Sequence, residues 1–225
     1  MPNRSTPPAP AWQQYRAQLA AYARTPVNYD DAQDPAAQTP AAGWRRDDYA
    51  TDLPAEVPGP PAPAGAFAAA QGVLRRYAFP PPNLITGYFD PAQPLAERVM
   101  VLRAHFLVFY FTFGVRIVDV VDEAALPTPG GPERVWGYGY RTLEGHFERG
   151  QINFSLHKNL TTGAVQFRIG AVSQKGTIRN PFYWLGFKVF GRILQRRFAR
   201  QSLARMRRLV GEALAAPQTK PAAPG

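Results

Sequence analysis

The stretch Val135–Gly150, VWGYGYRTLEGHFERG, concentrates aromatic, polar and glycine residues more densely than any other part of the chain. Its first half alternates in character, and strand geometry therefore assigns one face to Trp136, Tyr138, Tyr140 and Thr142. Gly137 and Gly139 fall on the other face, which indicates that a second element or a ligand lies close against that backbone. We interpret the stretch as the first strand and the turn of a β-hairpin around which the fold is built.

The second strand of this hairpin is predicted over Phe147–His157. Its apolar side chains, Ile152, Phe154 and Leu156, alternate with polar ones, as in a strand with one buried face. The same parity places Glu148 on the apolar face unless Gly150 forms a β-bulge. A carboxylate in that position must be paired or protonated.

The polar residues of the hairpin have two interpretations. The first is an acid–base cluster at the mouth of a cavity, with the candidate catalytic residues Tyr140, Thr142, His146 and Glu148. The second is a turn held by side-chain hydrogen bonds and one buried ion pair. We favour the second, because the chain has no nucleophile motif and structural networks also perturb pKa values.

Composition excludes several classes of protein. The chain has 225 residues, of which 45% are apolar, and no cysteine, so it has no disulfides or thiolate chemistry. The N-terminus lacks the basic start and apolar run of a signal peptide, and the longest strongly apolar run, Phe106–Val115, is shorter than the about 20 residues of a membrane-spanning helix. We therefore expect a soluble cytoplasmic protein.

No cofactor or metal is expected. His105, His146 and His157 lie far apart, and no ligand pair has the spacing typical of a metal site. Gly137 and Gly139 are followed by no third glycine at the dinucleotide-binding distance.

The net charge of +10 comes from one segment near the C-terminus. Between Lys175 and Arg208 there are ten basic residues and no acidic one. We expect the exposed basic side chains to include Arg192, Arg196, Arg197, Arg200, Arg207 and Arg208. This face could meet an anionic membrane, although we favour the simpler interpretation of a solvated face of a core helix. Nucleic acid is an unlikely partner, because no recognition motif is present.

The chain is predicted to have three parts. Residues 1–42 form an N-terminal arm with a linker and a short amphipathic helix, whose apolar side recurs at Trp12, Tyr15, Leu19 and Tyr22. Residues 43–215 form one domain. Residues 216–225 form a flexible tail rich in proline and alanine.

Within the domain, a first strand at Gly43–Leu53 and a helix at Gly65–Tyr77 precede a run of strands. The strands other than the hairpin are predicted at Leu84–Tyr88, Arg98–Thr112, Gly114–Glu123 and Ala164–Ser173. Both faces of Arg98–Thr112 are largely apolar, so the strand is either covered on both sides or curls around a core. A last helix runs from Pro181 to about Ala215.

This order predicts an α+β fold of the helix-grip type, in which a curved antiparallel sheet wraps around the long C-terminal helix. A fold of this shape leaves an apolar cavity between sheet and helix. The residues expected to line it are Trp136, Tyr138, Tyr140, Phe154 and Phe167.

The block GYGYRTLEGHFERGQ, Gly137–Gln151, resembles the signature of the bacterial and plant family called domain of unknown function nineteen-ninety. Further similarity lies in GWRRDDYATDLP near Gly43, in LRRYAFPPP, in FRIGAVS and in the segment Asn180–Met206. The family looks like a relative of the helix-grip superfamily, which includes START domains, birch-pollen-allergen proteins and polyketide aromatases. The resemblance implies a hydrophobic-ligand cavity and names no ligand.

Three functions follow as hypotheses. The first is non-enzymatic binding of a small hydrophobic or amphipathic molecule in the cavity. The second is a cyclase- or hydrolase-type enzyme that uses Tyr140, His146 and Glu148. The third is association with an anionic membrane surface through the arginine-rich helix.

Overall fold

A seven-stranded antiparallel sheet curves around the C-terminal helix in the computed structural model of the chain. The structure describes residues 10–30, 37–106, 109–175 and 181–216, and of these all side chains except 106, 175 and 181–193. The sheet contains the strands β1 Arg45–Leu53, β2 Ile85–Tyr88, β3 Val99–Phe106, β4 Phe109–Leu126, β5 Glu133–Thr142, β6 Glu148–Asn159 and β7 Val165–Lys175. The helices are α1 Arg16–Tyr22, α2 Ala66–Arg75 and α3 Pro181–Ala215, with short 3-10 turns at Ala11–Tyr15, Pro40–Ala42 and Leu95–Glu97.

The strand order across the sheet is β1-β7-β6-β5-β4-β3-β2. The first strand therefore lies at one edge, beside the last, and the remaining strands form a meander that ends at the other edge. Met206 and Val210 of α3 are fully buried in the same core as Phe154 and Phe167 of the sheet. The prediction that the C-terminal helix lies on the hollow side of an antiparallel sheet is confirmed.

The predicted strand Arg98–Thr112 is wrong in one respect. It is two antiparallel strands, β3 and β4, whose register pairs Phe106 with Phe109, and residues 107–108 lie outside the described residues. The predicted boundary between strands Arg98–Thr112 and Gly114–Glu123 is also wrong, because Gly114 lies inside β4 and pairs with Val101. The division into β3 and β4 interrupts an unbroken apolar run, and nothing in residue type marks it.

Both faces of β3 are buried, as its sequence predicts. Met100 and Leu102 belong to the core on the concave face, and the alternate residues Val99 and Val101 are buried on the convex face. The cover on the convex side is α1, which packs on β3 and β4.

Two features of β4 fit the end of α1. A Cβ atom at Gly114 would lie 2.5 Å from Cγ of Tyr22, so only glycine allows this ring to approach the strand. Arg116 Nη2 donates hydrogen bonds to the carbonyl oxygens of Tyr22 (3.3 Å), Ala23 (3.1 Å) and Thr25 (2.8 Å). A guanidinium group in this position satisfies the free carbonyls at the end of the helix. The predicted arm helix therefore docks on the convex face of the sheet.

A buried ion pair fixes the start of α2. Lys158 Nζ of β6 donates to Glu56 Oε2 at 2.8 Å and to the Pro60 carbonyl at 2.9 Å, and the Lys158 side chain is 0% exposed. Glu56 also accepts hydrogen bonds from the backbone N–H of Phe67 (2.7 Å) and of Ala62 (3.0 Å). Burial would raise the pKa of Glu56, but the hydrogen bonds from Lys158 and from these two N–H groups lower it below its ordinary value. The charged pair thus ties the N-terminus of α2 to the sheet.

Replacing Lys158 with Met should lower the free energy of unfolding by about 3–5 kcal/mol, because the Glu56 carboxylate is then left buried without its cation. Urea denaturation measures this. The matched control is Arg208→Met, which removes an exposed pair with Glu212 and should cost at most about 1 kcal/mol. Equal losses in the two variants would contradict the structural role of the buried pair.

Replacing Arg116 with Met should release α1 from the sheet, because three carbonyl oxygens lose a charged donor. Hydrogen exchange followed by mass spectrometry should show faster exchange in α1, with the strands little changed. Arg103→Met is the control, since this arginine lies over the Tyr110 ring. Unchanged exchange in α1 of the Arg116 variant would show that the arm does not depend on this contact.

Candidate functional site

Burial of the concave face decreases along neighbouring strands towards one end of the sheet. At one end, here called the sealed end, side chains are 1% exposed or less, as at Met100, Ile117, Trp136, Phe154 and Phe167. At the other, here called the open end, apolar side chains are only half-buried: Ala104, Phe111, Phe147 and Ile152. The sealed end is covered by α2 and by the second half of α3, which also pack against each other.

Tyr77 lies between the two ends, just after α2. Its backbone is in the left-handed region with φ 51°, which is uncommon for a bulky residue. A Cβ at Gly87 of β2 would lie 2.6 Å from the Tyr77 ring, so a glycine there gives the ring its space. The ring centroid lies 5.2 Å from that of Phe79, 6.3 Å from Phe154 and 6.4 Å from Tyr140. The left-handed backbone of Tyr77 and the absence of a side chain at Gly87 together place the Tyr77 ring in the apolar interior.

The hydroxyl of Tyr77 is buried and has no hydrogen-bond partner among the residues that the structure describes. Burial raises its pKa well above the ordinary value, and the nearby Tyr140 hydroxyl adds to this effect. A contact of hydrogen-bond type with the Tyr140 hydroxyl contributes to the pKa shifts of both phenols, although its geometry falls outside the limits of a regular hydrogen bond. A buried hydroxyl without a partner costs about 1–3 kcal/mol. Nothing in the residue pattern indicates that Tyr77 belongs to a site, because it lies at the end of the predicted helix Gly65–Tyr77.

The other two tyrosines of this region differ in their surroundings. Tyr138 donates its hydroxyl to the Leu74 carbonyl of α2 at 2.9 Å, so it is satisfied at the sealed end. The pKa of Tyr140 is raised to about 12, chiefly by burial. The Tyr77 hydroxyl lowers this pKa, and the Glu148 carboxylate raises it. Both phenols are therefore protonated donors at neutral pH.

Thr142 belongs to the turn between β5 and β6 rather than to a cavity mouth. Its Oγ1 donates to Oδ1 of Asn28 at 2.7 Å and accepts from the N–H of Gly150 at 3.0 Å. Asn28 Nδ2 in turn donates to the Glu148 carbonyl at 2.8 Å, and Val27 forms a β-bridge with Leu143. The segment that follows α1 thus holds this turn from outside.

His146 is enclosed within the turn. Its Nδ1 accepts a hydrogen bond from the N–H of Glu148 at 2.9 Å, and its ring centroid lies 4.3 Å from that of Phe113 and 4.9 Å from that of Phe147. Burial lowers the pKa of His146 to about 3, so the imidazole is neutral at physiological pH. No hydrogen bond joins it to Tyr140, and it is poorly placed to accept a proton from a substrate.

Glu148 stays on the concave face, as its parity predicts. The pairing of β6 with β7 runs through Gly150 without a register shift, so no bulge breaks the alternation between these two strands. The Glu148 carboxylate accepts a hydrogen bond from the side-chain amide of Gln195 in α3. The Glu148 carboxylate lies on the apolar face and is therefore hydrogen-bonded to a side chain of α3.

The remaining predicted residues separate into groups. Trp136, Tyr138, Phe154 and Phe167 lie at the sealed end and pack in the core, while Tyr140 lies at its border with the open end. Gly137 and Gly139 meet protein rather than ligand, since Cβ atoms there would lie 2.3 Å from the Phe154 carbonyl oxygen and 2.2 Å from Asn153 Oδ1.

The arginines of α3 form an exposed face where the structure describes them. Exposed side chains are found at Arg196, Arg197, Arg200, Arg207 and Arg208, and the side chain of Arg192 lies outside the described residues. Arg205 instead turns inward and donates to the Ala78 carbonyl at 2.9 Å. An apolar groove of about 630 Å³, which the sequence does not indicate, lies between the end of β1 and α3 and is lined by Asp52, Leu53, Pro54, Ala204, Arg207 and Arg208.

Over the described ranges, no three histidine, aspartate or glutamate side chains lie together in a way that could hold a metal ion. None of the helices, so far as their residues are described, is both long and apolar enough to cross a membrane.

The strand order and the helix on the concave side define the class of the fold as a helix grip. The chain belongs to the family described as Domain of unknown function (DUF1990), whose model matches residues 28–205. The match begins before Gly43 and includes Asn28, which bonds to the β5–β6 turn.

Solved structures of other proteins are similar to this chain at low sequence identity. Norcoclaurine synthase of Thalictrum, a point mutant in complex with a transition-state analogue, has a TM-score of 0.47 and 8% identity over 75% of this chain and 95% of that one. The Zhui aromatase/cyclase from Streptomyces has a TM-score of 0.43 and 14% identity over 76% of this chain and 93% of that one. Ara h 8.0201 has a TM-score of 0.41 and 14% identity over 77% of this chain and 100% of that one. No curated protein matches the sequence.

The low pKa of His146 predicts a dependence of stability on pH. The unfolded chain takes up a proton at His146 below about pH 6.5, whereas the folded protein does so only near pH 3. The free energy of unfolding should therefore fall as the pH decreases from 6.5 towards 4. His146→Gln should show a smaller fall than the wild type or the control His105→Gln.

Urea denaturation at pH 7 and pH 5 measures the effect, and the NMR chemical shift of the His146 ring reports its titration directly. A midpoint near 6.5 for this ring in the folded protein would contradict its enclosure in the turn.

Proposed function

We propose that the protein binds a small hydrophobic or amphipathic molecule between the open end of the concave face and α3, without chemical conversion. The observation that carries this proposal is the buried Tyr77 hydroxyl, which has no partner among the described residues. Phenylalanine would fill the same space without leaving a polar atom unsatisfied. A tyrosine held there by a strained backbone suits a protein whose ligand supplies the missing acceptor.

The surroundings of the hydroxyl fit an amphipathic ligand. Half-buried Phe111, Phe147 and Ile152 offer apolar surface at the open end. A bound ligand would remove the exposed part of these side chains from water, which favours binding. The protonated Tyr77 and Tyr140 hydroxyls can each donate one hydrogen bond, which suits a carbonyl, hydroxyl or ether oxygen. Ligand pockets commonly combine such apolar walls with a few polar groups.

The predicted ligand residues enter this proposal in a modified role. Tyr140 would contact the ligand beside Tyr77. Trp136, Tyr138, Phe154 and Phe167, which pack behind it at the sealed end, would form the floor that limits how deep a ligand reaches.

No specific observation favours the enzyme hypothesis based on Tyr140, His146 and Glu148. His146 is neutral, enclosed by two phenylalanine rings and bonded to the backbone of the turn, and Glu148 is bonded to Gln195. Association of the arginine face of α3 with an anionic membrane stays a prediction.

The binding test uses the anionic fluorophore 1-anilinonaphthalene-8-sulfonate, whose emission rises in apolar sites, with protein first extracted to remove co-purified lipid. The wild type should bind it saturably. Ile152→Trp, which fills the open end, should reduce binding at least tenfold. Tyr77→Phe should weaken the affinity about fivefold, because one neutral hydrogen bond contributes about 1 kcal/mol.

Tyr88→Phe is the matched control, since its ring stacks on Tyr15 of the arm, 4.3 Å between centroids, away from the open end. Native mass spectrometry before extraction shows whether a molecule co-purifies. Unchanged affinity in the Ile152 variant, or no saturable binding by the wild type, would contradict the proposal.

A further inference from the structure

A second polar cluster lies on the convex face of the sheet, opposite the proposed ligand site. It consists of Ser155 and His157, two residues apart on β6, and Glu133 on the neighbouring strand β5. The apolar residues between them, Phe154 and Leu156, point into the core, so the polar ones project outward. Alternation along the strands brings these three side chains to one place.

The three side chains are joined in a line. Ser155 Oγ lies 3.0 Å from His157 Nε2, and His157 Nδ1 lies 2.8 Å from Glu133 Oε2. Both distances are within the range that joins a nucleophile to its base and the base to its orienting acid. An ionised Glu133 accepts a hydrogen bond only from a protonated Nδ1, which leaves Nε2 as the acceptor for the serine hydroxyl.

The protonation state of His157 suits a general base. Burial lowers the pKa of this imidazole, and the hydrogen bond to Glu133 opposes that effect without cancelling it. The neutral ring is therefore the main form at pH 7. Among neighbouring charges, Arg168 faces the cluster from β7, with Nη2 3.7 Å from Glu133 Oε1.

The two sides of Ser155 differ in a way that leaves the hydroxyl approachable. On β5 its partner in register is Gly137, which places no side chain beside it. On β7 its partner is Arg168, whose side chain is 43% exposed. A guanidinium group next to a nucleophile can stabilise the negative charge that develops on a carbonyl oxygen.

We propose that Ser155, His157 and Glu133 form an acyl-accepting site for small carboxylic esters. The Ser155 oxygen attacks the ester carbonyl carbon while its proton passes to His157 Nε2, and the resulting oxyanion lies beside Arg168. Collapse breaks the carbon–oxygen bond to the leaving group, which departs as the alcohol with the proton from His157. Water then attacks the acyl-serine with His157 as base, which releases the carboxylic acid and restores the serine. Glu133 is a positioning residue, since it acts through the imidazole.

The test uses p-nitrophenyl acetate with the full-length protein. Release of p-nitrophenol is followed by absorbance, and the site of acetylation is mapped by peptide mass spectrometry. The wild type should carry acetyl on Ser155, and Ser155→Ala should lose that label. His157→Gln should slow acetylation of Ser155 at least about 100-fold, since this is a usual contribution of general base catalysis. Glu133→Gln should slow it as well, and should change the pH profile of the rate.

Ser173→Ala is the control, because this half-buried serine of β7 lies elsewhere on the sheet. The proposal is overturned if Ser155 is no more acetylated than Ser173, or if its rate is the same in His157→Gln. Circular dichroism establishes that each variant is folded.

Discussion

The structure depends on the need to remove one apolar face of a long antiparallel sheet from water. Each of the central strands presents large apolar side chains to its concave side, and no strand can cover them alone. Burying such a surface stabilises a protein by about 25 cal/mol per Å², so the cover determines where the helices lie. Here α2 and the second half of α3 close one end of the concave face, and α2 is in turn fixed by the Lys158–Glu56 pair.

The helices cover one end of the concave face more completely than the other, and the less covered end is the candidate site. Tyr77 lies where the sealed part ends, and its unsatisfied hydroxyl is difficult to explain by packing alone. The turn that carries His146 and Glu148 borders the open end and is held from the other side by Asn28. Because α1 and Asn28 belong to the same N-terminal segment, docking of that segment on the convex face also fixes the border of the concave site.

Much of this architecture could be predicted from the sequence, because alternation in β5 and β6 is a local property. Trp136, Tyr138, Phe154 and Leu156 share one face of the hairpin, as the alternation predicts, and the predicted last helix packs against that face through Met206 and Val210. The doubly apolar β3 also indicated a cover on both sides. The division of this apolar run into β3 and β4 could not be predicted, since Val99–Phe113 contains no residue typical of a turn between the two strands.

Less of the candidate site than of the fold could be predicted from the sequence. A polar group is identified as unsatisfied only when its three-dimensional neighbours are known, so Tyr77 could be recognised only as the end of a helix. His146 was correctly placed in the turn, but the phenylalanine rings that enclose it come from two elements. Ser155 and His157 did carry a signal, since their spacing puts both on the outward face of one strand. Glu133, which completes that cluster, depends on the register between β5 and β6.

The central claim is that the concave face is filled at one end and available at the other. A crystal structure of the protein purified without lipid extraction tests this most directly. We expect electron density for a small molecule between the Phe111 and Ile152 side chains and α3, with an oxygen atom within hydrogen-bond distance of Tyr77 Oη. If side chains of α3 fill that space completely and the Tyr77 hydroxyl bonds to protein, the account of a ligand-binding helix grip is contradicted.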